Sequence, residues 1–323
     1  MKTSEKIIAY LKLKNKVSVN EMVDYLKISR MGVSKQLANL IVEGKVVKIG
    51  RPPVVFYMLQ EERDISMSDI IINNRTRDLI EKKYLIITAG GERKEGVAGF
   101  AYWCQQNHLP LNKTATEYEK TLKKYEALRQ DGLLDGMRKF QTTFETVNLD
   151  QIFYLDFYSI ERFGKTRLGQ LLLYAKQSQN KKLMRELMID IYPMFNKILK
   201  KYRIDAIGFI PPTVKREVQF MKELEKNFHS NVKVISISKI KTEIIVPQKT
   251  LNKLKERIEN AKKTIVVSEV GHYKTVLLID DAVGSGATLN ETARQVKQNG
   301  IAKKVIGLAI TGSFKGFDVI SEV

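Results

Sequence analysis

Cysteine is nearly absent from this chain: Cys104 is the only one in 323 residues. One thiol excludes an internal disulfide framework and a cysteine-based zinc site within the chain. It fits a reducing cytoplasm. No run of 18 or more apolar residues occurs, so the sequence predicts no membrane span. Met1–Leu13 mixes Lys and Glu through an apolar pattern and does not read as a secretory signal. There is no low-complexity segment and no internal repeat. Acidic residues are scarce: 36 Asp and Glu against 55 Lys and Arg leave a net charge of +19. Such an excess favours an anionic partner, whether nucleic acid, a phosphate ligand or a membrane surface. It is densest at the start, where residues 1–60 hold 11 basic against 4 acidic side chains. What is present in quantity is apolar: 43% over this length sustains two or three domains with their own cores.

Residues 1–60 carry three helical patterns and a hairpin. Ser4 can cap a helix with Ile7, Ile8, Leu11 and Leu13 inward. Val17-Ser18-Val19-Asn20 interrupts it, and Asn20 can cap a second helix with Met22, Val23 and Leu26 inward. After a turn at Ile28-Ser29-Arg30, a third helix sets Val33, Leu37, Leu40 and Ile41 on one face. Arg30, Ser34, Lys35 and Asn39 lie on the other. Gly44 ends it. Two β-branched runs, Lys45–Ile49 and Val54–Met58, flank Gly50-Arg51-Pro52-Pro53. This order resembles the winged helix-turn-helix family. The resemblance implies DNA binding, with the third helix in the major groove and Arg51 at the hairpin tip near the backbone or minor groove. Arg30, Ser34, Lys35 and Asn39 are of types that bond phosphates or base edges.

Residues 61–83 read as a linker, with Ser68 able to cap a helix running into Ile71, Leu79 and Ile80. Residues 84–152 read as a mainly helical middle region. Tyr84–Thr88 is apolar and β-rich, and Gly90-Gly91 is a turn. Tyr118, Leu122, Tyr125 and Leu128 make a packing stripe. Phe100, Tyr102 and Trp103 form a cluster that could stack on bases but more often builds a core. His108 is isolated and carries no role.

From Phe153 onward, strands alternate with helices. Phe153–Phe157, Asp205–Ile210, Val232–Ser238, Thr275–Ile279 and Lys304–Ile310 read as strands, and Gly169–Tyr174, Lys182–Leu199 and Leu289–Gln298 as helices. Such alternation predicts an α/β domain with a mostly parallel sheet over 153–323. One segment is chemically informative. The apolar strand Val276–Ile279 delivers Asp280 and Asp281 at its carboxyl end, where open α/β sheets bind ligands. Val283-Gly284-Ser285-Gly286-Ala287-Thr288 follows and opens a helix. Its glycines permit unusual dihedrals, and its amides can surround a phosphate at the helix N-terminus. Ser285 and Thr288 add hydroxyls. Carboxylates beside a phosphate nest suit ribose hydroxyls, or Mg²⁺ held directly or through water.

The run Val276–Thr288 resembles the phosphoribosyl pyrophosphate motif of type I phosphoribosyltransferases. The resemblance assigns ribose contact and catalysis to Asp280 and Asp281. It assigns 5′-phosphate binding to Val283, Gly284, Ser285, Gly286, Ala287 and Thr288, and implies Mg²⁺ bound with the pyrophosphate. Further landmarks narrow it: Tyr158 then Arg167–Lys176; Ile210-Pro211-Pro212 with Lys215 and Arg216; and Gln248, Leu251, Arg257 and Asn260. Together they resemble the ComF family, linked to DNA uptake. By that resemblance Pro211, Lys215, Arg216, Lys255 and Arg257 are pyrophosphate or hood contacts. Two features depart from the family. Arg216–Phe220 replaces its Arg-Gly-Phe-Asn-Gln stretch, and its N-terminal zinc cysteines are missing. Phe314–Asp318 offers a weak base-binding segment.

The expectation is a cytoplasmic DNA-binding regulator, dimeric as winged-helix regulators often are. Its phosphoribosyltransferase-like domain would bind phosphoribosyl pyrophosphate or a nucleotide. Winged-helix purine repressors offer a precedent for the combination. A ComF-like DNA uptake or processing accessory is the alternative, and an active phosphoribosyltransferase the third reading.

Overall fold

The computed structural model describes residues 3–14, 16–51, 54–59, 72–88, 91–212, 216–240 and 254–313. The side chains of residues 49, 50, 51 and 54 lie outside that description. The chain divides into two compact units, Met1–Asp69 and Ile70–Val323.

The first unit contains α1 (Thr3–Lys14), α2 (Val19–Leu26), α3 (Arg30–Val42), β1 (Val46–Arg51) and β2 (Val54–Leu59). Ser18, not Asn20, caps α2. Its hydroxyl accepts from the Glu21 amide at 3.3 Å while the Glu21 carboxylate accepts from the Ser18 amide at 2.7 Å. This reciprocal pairing satisfies two donors that a helix start leaves open, which a lone Asn20 could not do. Ser29 caps α3 through the Gly32 amide at 3.2 Å. Between α1 and α2, Val17 exchanges two backbone hydrogen bonds with Tyr57 of β2, at 2.9 and 2.7 Å. β1 and β2 form an antiparallel pair running from Val46 opposite Leu59 to Arg51 opposite Val54. Ile7, Tyr10, Leu11, Val17, Met22, Val33, Leu37, Leu40 and Val46 form the core. Two expected core positions are instead exposed, Leu13 at 69% and Ile41 at 39%. Tyr10 takes the inward place on α1, stacked on Tyr25 with ring centroids 3.8 Å apart.

The second unit begins with α4 (Asn74–Lys83), capped by the Asn73 side chain at the Thr76 amide, 2.8 Å. Ser68, the expected cap, lies outside the described residues. The hairpin β3 (Leu85–Ile87) and β4 (Arg93–Glu95) follows, then α5 (Gly96–Gln106), α6 (Leu111–Glu126), β5 (Arg129–Gln130), β6 (Leu133–Asp135), α7 (Met137–Thr143) and β7 (Gln151–Phe157). Next come α8 (Arg167–Ser178), α9 (Lys181–Tyr202), β8 (Ala206–Phe209), α10 (Phe220–Lys226), β9 (Lys233–Val234), β10 (Ile237–Lys239) and α11 (Leu254–Thr264). The last elements are β11 (Ile265–Val267), β12 (Tyr273–Val283), α12 (Ala287–Gln298) and β13 (Ala302–Gly312).

The fold of this unit is mixed α/β. Its central sheet has the order β5-β6-β7-β13-β12-β8-β9. It is parallel from β7 to β9 and antiparallel at the β5-β6-β7 edge. The expected strand over 232–238 is two strands. β9 pairs with β8, and the chain then leaves the sheet so that β10 pairs with β11 in a separate ribbon. Val276 through Ile279 are fully buried because both sheet faces are covered. α8, α9 and α10 pack on one face, onto Leu277, Ile279, Ile306, Leu308 and Ile310. α12 covers the other, where a Cβ on Gly307 would stand 2.8 Å from Leu289.

The region 84–152 is not a separate body. β6 hydrogen-bonds β7, and Leu85, Ile87 and Leu133 enter the same core as the parallel strands. Tyr84, Phe100, Trp103, Tyr118 and Phe163 form one aromatic cluster, with Phe100 fully buried. Leu128 drops out of the packing stripe at 46% exposure.

Candidate functional site

From β8 the chain proceeds outward to β9, whereas from β12 it proceeds the opposite way to β13. The strand order therefore reverses between β8 and β12, the kind of position at whose carboxyl ends open α/β sheets bind ligands. Asp280 and Asp281 lie on the β12 side of that reversal. Pro211 and Pro212 lie on the β8 side, where the Ile210 amide donates to the Ile279 carbonyl at 2.8 Å.

Neighbouring strand residues point to opposite faces; Lys176 acts on both carboxylates and Lys239 on Asp280. Lys176 reaches from α8 to Asp281 with Nζ to Oδ2 at 2.8 Å; their side chains are 10% and 16% exposed. Asp280 accepts from the Asp281 amide at 2.8 Å. Burial, and then the neighbouring Asp281 charge, push the Asp280 carboxyl up to about 7; that amide, Lys176 and Lys239 pull the other way. The Lys239 ammonium, on β10, is held below its ordinary value by burial, with Asp280 opposing. At neutral pH the Asp280 carboxyl is thus close to half protonated, with a proton it can take up or release.

The loop behind the acids leads from β12 into α12. Gly286 is left-handed at φ 81° and is the N-cap of α12. Ser285 is buried, and its hydroxyl accepts from the Ala287 amide at 3.3 Å. Among the described residues the amides of Gly284, Ser285 and Gly286 find no acceptor. Buried main-chain donors rarely stay unsatisfied, and consecutive ones at a helix start form an anion-binding concavity. Val283 and Ala287 are buried, and Thr288 is half-buried with its carbonyl accepting from Thr292 at 2.8 Å.

The floor of this loop comes from α7, in the region where sequence reasoning assigned no role. Lys139 donates to the Gly284 carbonyl at 2.7 Å. Phe140 lies under Gly286, where an added Cβ would stand 2.4 Å from its ring. Burial lowers the Lys139 ammonium to about 8. Asn290 of α12 is held by the Asn148 amide at 2.8 Å and donates to the Thr146 carbonyl at 2.9 Å.

The remaining sequence-derived residues are placed as follows. Arg216 is half-buried after β8, and its carbonyl accepts from the Gln219 side chain at 3.2 Å. Lys255 is exposed and Arg257 half-buried on α11. Lys215, the 247–253 part of the ComF-like landmark and Phe314–Asp318 lie outside the described residues. The cations brought to the acids among the described residues are Lys176, seen in the sequence only as a landmark, and Lys239, which stood there only as the first residue of a basic stretch. In the first unit Arg30, Ser34, Lys35 and Asn39 are all exposed on α3, beside Met31 and Val42. Arg51 is in β1, with its side chain outside the described residues.

Among the described residues no helix is long and apolar enough to cross a membrane. No group of three or more His, Cys, Asp or Glu able to hold a metal ion occurs among them. No family model matches the chain, and no curated protein matches it.

Proposed function

We propose that the chain is a two-part DNA-binding protein: a winged helix-turn-helix unit joined to a type I phosphoribosyltransferase-like ligand domain. More particularly, it is a transcriptional regulator, acting as a dimer, whose ComF-like domain senses phosphoribosyl pyrophosphate or a nucleotide. The observation that carries this reading is the set of groups gathered at the strand-order reversal. There twin carboxylates adjoin three main-chain donors that find no acceptor among the described residues. A ribose phosphate matches both halves: its hydroxyls donate to Asp280 and Asp281, and its phosphate accepts from residues 284–288. Two carboxylates, one of them paired with Lys176, are too few to cage Mg²⁺. The ion would arrive with pyrophosphate oxygens as its main ligands and neutralise their charge.

The DNA-binding half rests on shape and chemistry together. Capped α2 and α3 are joined by a tight turn, the Val17 bridge ties the hairpin to the helices, and α3 exposes Arg30, Ser34, Lys35 and Asn39. Net charge of +19 supplies the attraction to a polyanion.

Calorimetry of phosphoribosyl pyrophosphate with Mg²⁺ tests the ligand domain on wild type and Asp281→Asn. The substitution weakens binding; equal affinities would remove Asp281 from the site. Sensing is tested by titrating duplex DNA with and without saturating phosphoribosyl pyrophosphate. A shift of about 5- to 150-fold in DNA affinity is the ordinary range for coupled sites, and no shift would end the regulator reading.

One observation favours a second reading, an active phosphoribosyltransferase. The Asp280 carboxyl near 7 can take or give a proton at neutral pH. Pyrophosphate release with a purine, pyrimidine or orotate acceptor would establish it.

A further inference from the structure

We propose that Lys139 is the positioning residue of the phosphate loop: by holding the Gly284 carbonyl, it turns the Ser285 amide toward the ligand. This rests on the phosphate-loop reading above and extends it to a residue outside the phosphoribosyltransferase-like stretch. A trans peptide is planar, so its C=O and its N–H point in opposite directions. Lys139 grips the oxygen of the 284–285 peptide from the α7 side at 2.7 Å. The N–H of that same peptide must then project away from α7, and it finds no acceptor among the described residues.

Without such a grip the peptide can rotate more easily, because one of its two hinge torsions, ψ of residue 284, belongs to a glycine, which tolerates either orientation. A flipped peptide would present a carbonyl oxygen to the incoming phosphate, replacing attraction by repulsion. Lys139 is 9% exposed, and its bond is charge-assisted. A cation on the carbonyl also polarises the N–H across the peptide and strengthens it as a donor. Phe140, the next residue on α7, supports Gly286 from the same side, so one short helix fixes two consecutive points of the loop.

The test uses the full chain, with phosphoribosyl pyrophosphate plus Mg²⁺ in calorimetry and inorganic phosphate as the probe of a ¹⁵N-serine-labelled sample. Lys139→Met weakens the calorimetric affinity by about ten-fold or more, the scale of a lost charged hydrogen bond, and Lys139→Arg recovers most of it. In wild type the Ser285 amide resonance moves when phosphate is added; in folded Lys139→Met it does not. Wild-type binding with an unmoved Ser285 amide, or equal affinity for Lys139→Met, overturns the role of Lys139 and leaves the site standing. Failure of wild type to bind either probe overturns the site and Lys139 together. Should Lys139→Met not fold, Lys139→Gln takes its place in both measurements, and an affinity and Ser285 shift equal to wild type in that variant overturn the role of Lys139.

Discussion

Replacing Gly286 by Ala probes the loop with one methyl group. The residue sits at φ 81°, and its new Cβ would lie 2.4, 2.9 and 3.0 Å from three carbons of the Phe140 ring. Two costs add. A left-handed conformation costs a non-glycine residue about 1–2 kcal/mol. Forcing an extra carbon into a packed position costs about 1–3 kcal/mol, and Phe140 is fully buried beside Phe144, so its ring has little room to retreat. Alanine reduces unfolded-chain entropy, which returns about 0.4–1 kcal/mol. The expected net loss is about 2–4 kcal/mol. The single tryptophan, Trp103, belongs to the second unit, so its fluorescence in urea follows that unit alone. Phe140→Leu in the same cycle separates the terms. In that background Gly286→Ala should cost only the backbone share, about 1–2 kcal/mol. An alanine variant within about 0.5 kcal/mol of wild type, or a cost unchanged in the Phe140→Leu background, would refute the packing of α7 beneath the loop.

The carboxylate pair predicts a pH dependence. Asp280 has its folded carboxyl raised to about 7 from an ordinary 3.8, so the folded chain holds the extra proton between about pH 4 and 7. Its contribution to stability therefore falls as pH rises through that window. Asp280→Asn should be more stable than wild type at pH 8, by at most about 4 kcal/mol and by less to the extent that solvent reaches the half-buried group. The gain should vanish near pH 4; a constant difference across the range, measured by urea unfolding, would contradict the buried pair. Lys176→Met should destabilise the second unit by about 2–4 kcal/mol because Asp281 then loses its ion-pair partner. Adding Asp281→Asn should recover part of that loss, and strictly additive effects would deny the pairing. Ser18→Ala should cost about 1 kcal/mol in the first unit through loss of its capping box, followed by hydrogen exchange of α2 amides. Lys35→Ala should weaken duplex binding on all sequences alike and reduce the salt slope by about 1; an unchanged slope would take Lys35 off the phosphate backbone.

Much of the architecture could be read directly from the chain because its signals are local. Val276–Ile279 is apolar without interruption, and Gly284 to Thr288 is rich in small residues, so a buried strand, a turn and a helix start were all legible there. The place of the acids at the strand's carboxyl end was legible for the same reason. The helices and hairpin of the first sixty residues were legible for the same reason, through periodicity and turn residues. Local rules faltered where two residues could serve one purpose. Ser18 and Asn20 are both capping types, and the reciprocal bond from Glu21 decides between them.

What tertiary structure alone decided is which distant side chains complete the site. Lys139 and Gly284 are 145 positions apart, and Lys176 and Asp281 are 105 apart. No periodicity spans such intervals; strand order does. Because β6 and α7 precede β7 at one sheet edge while β12 lies two strands inward, a helix from the seemingly anonymous middle arrives beneath the loop. The composition determined that cations would be plentiful. The packing of α7, α8 and β10 determined which of them are buried or half-buried here: Lys139 at the loop, Lys176 and Lys239 beside Asp280, whose proton affinity burial raises.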